Sequence, residues 1–165
     1  EQIENQLVKR DRELFMATTQ AYTNHDTARA TIYANELNEI RKLARITIQS
    51  HLALEQVALR LETMEILGDV VVTLAPATTV LRTVSDDMGW VVPEAEKEFE
   101  SVGEMLDGLL AEAQCKKGEI FDARAFSENA RTVLDQASQK AEQKLKERLP
   151  ELPEALLANR EKIAA

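Results

Sequence analysis

From about residue 27 to residue 74 the chain has no proline and a single glycine, Gly68. Tyr33, Leu37, Ile40, Ala44, Leu54, Val57, Leu61, Met64 and Val71 keep a three-four spacing through it, the period of one face of an α-helix. At 1.5 Å per residue such a helix is a rod of roughly 70 Å. Ile48, Leu52, Leu59 and Ile66 form a second apolar line on another face of the same rod. One partner helix cannot cover both lines, so other helices or a second molecule must.

The remaining composition points the same way. Five Gly and four Pro in 165 residues are too few for a sandwich or barrel, which needs a turn every 8 to 12 residues or so. With 44% apolar, 30% charged and 4% aromatic residues, the chain suits one soluble domain with a ring-poor core. The longest apolar run, Val70 to Leu74, falls far short of the roughly 18 residues of a membrane span. A single Cys115 excludes an internal disulfide and fits a reducing compartment. The chain opens at Glu1 without a signal-peptide pattern, and that start says nothing of targeting.

Along the chain the expected class is all-α. Residues 1 to 22 read as an amphipathic helix, with Ile3, Leu7, Leu14 and Ala21 on one line and Val8, Phe15 and Tyr22 on its neighbour. Thr23 to Asp26 interrupt the pattern as a tight turn, and Asp26 or Thr27 can cap the rod that follows. Val70 to Thr73 is a β-branched run, read as helix because no second strand exists to pair with it. Pro76 is expected to break the rod, with a short helix over 77 to 88 carrying Val80, Leu81 and Val84 until Gly89 closes it. Pro93 suits a first helical position. Ala95, Phe99, Val102, Leu106, Leu109 and Ala113 then predict a buried stripe, backed by the acidic ridge of Glu96, Glu100, Glu104 and Asp107.

Gly118 marks a linker, and Asp122 can cap a last helix running to about Leu149. Its inner side is Phe126, Ala130, Val133, Ala137, Ala141 and Leu145, mostly alanine, so it should dock weakly and reversibly. The whole reads as a long helical hairpin with shorter third, fourth and fifth helices packed along it.

Charge and side-chain chemistry exclude several functions. The net charge of -9 divides unevenly: residues 1 to 60 carry 8 Lys/Arg against 8 Asp/Glu, residues 61 to 114 carry 2 against 12, and the rest 10 against 9. That pattern argues against a nucleic-acid partner while leaving local basic faces. His25 lies in the expected turn and His51 in the rod, without the Glu-x-x-His pairs of a di-iron bundle. Glu62 and Glu65 could share a metal, although an acidic helix face is the ordinary outcome. No phosphate-binding glycine motif and no partner for a Cys115 thiolate occur, so neither catalysis, metal nor cofactor is expected.

Four strings carry a resemblance: KRDRELF (Lys9 to Phe15), IYANELNEIRKL (Ile32 to Leu43), LALEQVALRLETMEILGDVVVTLAP (Leu52 to Pro76) and MGWVVPE (Met88 to Glu94). They resemble the archaeal cell-division members of the ESCRT-III family over about residues 9 to 114. The resemblance implies a non-enzymatic subunit that polymerises with itself and paralogous subunits on an anionic membrane surface. It would constrict that membrane in division or vesicle budding, and an AAA ATPase with a microtubule-interacting-and-transport domain would recycle it. It implies a cytoplasmic protein, peripheral at the inner face of the membrane at the division site. On this reading residues 1–114 are the helical core, 115–121 a linker, 122–149 a weakly docked regulatory helix and 150–165 a docking tail. The first helix is short against the rod, so a membrane-touching portion is expected ahead of Glu1. The alternative from another class is a soluble coiled-coil adaptor or chaperone that binds no lipid.

The residues expected to act follow from these two readings together. Leu149, Pro150, Leu152 and Pro153 resemble the family's extended ATPase-docking motif, since prolines favour an extended strand. Glu142, Leu145, Arg148, Leu149 and Leu152 overlap it as a helical variant whose last turn Pro150 spoils. Lys9, Arg10 and Arg12, with Arg41, Lys42 and Arg45, are the basic clusters available to anionic lipid, unless they are solvated rims of the hairpin seam. An autoinhibitory contact is expected from Ala130, Val133 and Ala137, with the basic edge of Lys140, Lys144 and Arg148 drawn to the acidic middle of the chain and so sensitive to salt. Ile48, Leu52, Leu59 and Ile66 would meet the last helix or a neighbouring subunit.

Overall fold

The computed structural model describes residues 1–67, 70–117 and 123–151, with the backbone alone for 65–67, 116–117 and 123. The described residues form five α-helices and no strand: α1 (Gln2–Thr23), α2 (Thr27–Leu67), α3 (Val70–Met88), α4 (Glu96–Lys117) and α5 (Ala123–Arg148), with a 3-10 turn at Pro93–Ala95 before α4. The fold is all-α, as the periodicity requires. It divides into two compact units, Glu1–Arg45 with the chain from Glu142 on, and Ile46–Ala141.

In the first unit α1 and the start of α2 form a hairpin whose turn is set by backbone hydrogen bonds. Asp26 N–H donates to the Ala21 carbonyl and His25 N–H to the Tyr22 carbonyl, each at 3.0 Å. This is the six-to-one and five-to-two pattern that closes helix ends, and it places His25 at φ 57°, in the left-handed region. Asp26 Oδ1 then accepts from the Arg29 N–H at 3.1 Å and caps α2.

Val8, Leu14 and Ala21 are buried along α1, while Ala30, Leu37 and Ala44 are buried along α2 at steps of seven. Glu4, Asp11 and Thr18, also seven apart, are buried on α1 as well. The Thr18 hydroxyl satisfies itself on the Leu14 carbonyl at 2.7 Å. Of the apolar positions expected on α1, Ile3, Leu7 and Phe15 are half-buried and Tyr22 is exposed.

In the second unit α3 is central. Its Ala77, Val80, Val84 and Met88 pack with Ala53 and Val57 of α2 and with Ala130, Val133 and Ala137 of α5. Its Leu74 and Leu81 pack with Leu106 of α4.

Two expectations need correction here. Helix is described to Leu67 in α2 and from Val70 in α3, and the expected course of the rod through Gly68 lies outside the described residues. Pro76 lies inside α3 and is buried, so it is not a break. A proline removes one backbone donor, and the apolar contacts of Val71, Leu74, Ala77 and Val80 on either side hold the helix through that gap. The buried stripe of α4 is also shifted. Leu106 is buried and Phe99 packs beside it, but Val102 and Leu109 are 45% and 47% exposed. The seam runs instead along Phe99, Leu106 and Leu110, with Gly103 half-buried between them. The expected features at Gly118 and Asp122 lie outside the described residues.

Candidate functional site

The exit of α5 in the first unit is the most elaborated polar site among the described residues. Asp11, on the buried line of α1, has no exposed surface, and a lone carboxylate there would be costly. Arg41 of α2 relieves it: Nε donates to Asp11 Oδ1 at 2.6 Å and Nη2 to Oδ2 at 3.2 Å. The same Nη2 donates to the carbonyl of Pro150 at 2.8 Å. Two residues before that proline, Arg148 donates to Asn5 Oδ1 at 2.8 Å and reaches the buried Glu4 at 3.4 Å. The guanidinium fork suits this use, since it can serve a carboxylate and a carbonyl from one planar group.

Beside these contacts lies a cleft of about 730 Å³ between the start of α2 and the end of α5. Asn38, Arg41 and Lys42 form one wall, and Leu145, Leu149 and Pro150 form the other. Leu149 and Pro150 are half-buried there, while Leu152 and Pro153 lie outside the described residues.

The other sites expected from the sequence are distributed as follows. Lys9 and Arg12 are exposed on α1. Arg10 pairs with Glu13 at 3.2 Å, Lys42 with Glu39 at 2.6 Å and Arg45 with Glu142 at 3.6 Å, all on the surface. Arg41 does not share that surface, because Asp11 and the Pro150 carbonyl take its guanidinium. Ala130, Val133 and Ala137 are buried against α2 and α3. Lys140 and Lys144 are exposed and reach no partner among the described residues, and Arg148 turns to α1 rather than to the acidic middle of the chain. Ile48 is buried, Leu52 half-buried and Leu59 exposed. The Ile66 and Glu65 side chains lie outside the described residues. His25 is exposed in the turn, His51 is half-buried and Glu62 is exposed.

Among the described residues no group of three or more His, Cys, Asp or Glu could hold a metal ion. No described helix is long and apolar enough to cross a membrane.

The chain is 38% identical over 154 residues to Cell division protein B1 of Sulfolobus acidocaldarius, a match covering 93% of this chain and 72% of that protein. This chain belongs to the archaeal cell-division branch of the ESCRT-III family. Cell division protein B of the same archaeon is 32% identical over 147 residues, covering 89% of this chain and 56% of that protein. The chain thus spans just over half the length of one of these ESCRT-III relatives and about seven-tenths of the other. No protein-family model matches, and no solved structure does.

Sequence reasoning missed Glu4, Asn5 and Asp11 of this ESCRT-III chain, because charged residues on an amphipathic helix are assigned outward by default. The signal that could have found them is the seven-residue step from Glu4 to Asp11 to Thr18, set within the apolar line of Val8, Leu14 and Ala21.

Proposed function

We propose that this chain is a non-enzymatic filament subunit that remodels membranes during archaeal cell division. The observation that carries the reading is the match to Cell division protein B1 across 93% of the chain. On this reading the chain assembles with itself and with paralogous subunits at the division site, on the cytoplasmic face of an anionic membrane. Lys9, Arg10, Arg12, Lys42 and Arg45 supply weak attraction to lipid, on the order of 1 kcal/mol for each cation near the surface, which a polymer multiplies. The same subunit could serve vesicle budding.

The contacts of α5 support a removable cover. Ala130, Ala137 and Ala141 bury little area apiece, and the only larger inward side chains among the described buried residues of α5 are Val133 and Leu145. At the far end Leu149 and Pro150 begin a segment whose pattern suits an extended strand in the docking domain of an AAA ATPase.

Electron microscopy of the purified chain on anionic vesicles tests the central reading, with filaments and deformed vesicles as the expected result. Sedimentation with vesicles, with and without about 0.5 M salt, separates it from a soluble coiled-coil adaptor, which would bind no lipid in either condition. Calorimetry of a peptide covering residues 140–165 tests the tail. Leu152→Asp should abolish binding of the ATPase docking domain. Pro150→Ala should weaken it modestly in the extended mode and strengthen it in a helical mode.

A further inference from the structure

Glu98, Val102, Met105, Leu109, Glu112 and position 116 follow one another on α4 at steps of four, three, four, three and four, the spacing of a seam that faces another helix. Val102, Met105 and Leu109 are 45%, 63% and 47% exposed, and Glu98 and Glu112 are exposed as well. α3 takes a different face of the same helix, through Phe99, Leu106 and Leu110. The seam is regular, and it is open to solvent.

Its sequence selects what can cover it. In a parallel pair of copies each position meets its own image, so Glu98 faces Glu98 and Glu112 faces Glu112. An antiparallel pair with its two-fold axis midway between Met105 and Leu109 differs. Met105 then faces Leu109 of the second copy, Val102 faces Glu112, and Glu98 faces position 116, which is a lysine. Symmetry makes every layer occur twice, so opposite charges meet at both ends and the apolar layers lie at the centre. The one imperfect layer sets Val102 beside an acid.

The edge of the seam fits the same arrangement. Ser101, Gly108 and Cys115, seven apart and all exposed, run along it with small side chains. A Cβ built at Gly108 meets nothing within 4 Å, so nothing inside the chain requires a glycine there, and in an exposed helix interior glycine is less favourable than almost any other residue. In the antiparallel pair Gly108 lies beside the two-fold axis, next to its own image, where the missing side chain lets the two backbones approach.

We propose that the seam of α4 from Glu98 to Lys116 is a dimer interface, covered by the same seam of a second copy of this chain running antiparallel. The contact is isologous and closes at two copies. It goes beyond the filament reading and is independent of it, since it joins two subunits whether or not either belongs to a filament.

The test uses the full chain without lipid. Sedimentation velocity over a concentration series should show a reversible monomer–dimer equilibrium. Glu112→Leu makes the imperfect layers apolar and should tighten the dimer about tenfold. Glu98→Lys should weaken it about fivefold and Lys116→Glu likewise, while the two combined in one chain should restore it. Gly108→Gln separates fold from interface: it should raise the melting temperature of the monomer, yet abolish the dimer by standing between the two backbones. On a Cys115→Ser background, a short thiol-specific cross-linker should join Gly108→Cys to its image, whereas Glu100→Cys, on the opposite face of α4, should stay uncoupled.

A parent chain that is monomeric at every concentration would overturn the proposal, as would a Gly108→Gln chain that dimerises like the parent. No rescue by the double charge reversal would do the same. So would a Met105→Glu chain that dimerises normally but loses binding to anionic vesicles, since the seam would then belong to lipid. Circular dichroism of each variant confirms that helix content is kept.

Discussion

At the scale of single residues, Asp11 fixes how the first unit is put together. It is fully buried, and Arg41 is the group that makes that burial tolerable. Removing one member of a buried pair leaves the other charge uncompensated, which typically costs about 3–5 kcal/mol. Arg41→Met should accordingly destabilise the chain by that order in urea unfolding. Arg41→Met combined with Asp11→Leu should recover most of the loss, because the apolar pair no longer buries a lone charge. A second acid responds to pH. Burial, and then the neighbouring Asp86, push the Asp87 carboxyl above the ordinary aspartate value of 3.8. The folded chain therefore holds this proton more tightly than the unfolded one, and stability declines as pH rises from that ordinary value through the folded one. Thermal melts of Asp87→Asn should show that decline removed, with no change below the interval. The role of Asp11 was not legible in the sequence, since a burial pattern that includes charge looks like a solvated face until the facing residue is known.

At the scale of elements, the turn at Asn24 to Asp26 was legible because its residues break an otherwise continuous apolar period. The residue in the left-handed position was not. His25 takes φ 57° with an exposed side chain, and that conformation costs a non-glycine residue roughly 1–2 kcal/mol. His25→Gly should raise stability by about 1 kcal/mol, the gain being reduced by the added freedom of the unfolded chain, as denaturant midpoints at constant slope would show. Pro76 teaches the opposite lesson. Local propensity predicted a break, but α3 runs through it because its neighbours are buried on both sides. Pro76→Ala removes a helix cost of about 3 kcal/mol. It gives up about 1.6 kcal/mol of burial from two methylenes, for a net gain of about 1 kcal/mol. A lower melting temperature would mean that the ring is needed for packing. On α4 the period was right and the face shifted, with Phe99 and Leu106 in the seam but Val102 and Leu109 outside it. Several apolar lines fit a helix equally well from sequence, and Gly103 in the seam was the one mark of the true contact side.

At the scale of the whole chain, family and fold class were legible because both depend on long-range regularities: a proline-free rod, four recognisable strings and an alanine-lined last helix. What held the last helix was less so. Lys140 and Lys144 suggested a salt-sensitive clasp, yet within the second unit α5 is held by Ala130, Val133 and Ala137 against Ala53, Val57, Ala77, Val80 and Val84. An apolar seam is not screened, so added salt should leave this docking intact. A charge placed inside it should not. Ala137→Glu sets a carboxylate where no side-chain surface is exposed, and the helix can escape that cost by leaving rather than by unfolding its neighbours. Hydrogen exchange over residues 124–141 should therefore accelerate in this variant while the α3–α4 seam at Leu74, Leu81 and Leu106 stays protected. If α5 is a cover on an assembly surface, the same variant should form filaments on anionic vesicles at a lower concentration than the parent chain. Faster exchange without easier assembly would mean that α5 is structural only. Exchange spreading equally through α3 and α4 would mean that α5 belongs to one cooperative core and cannot act as a cover.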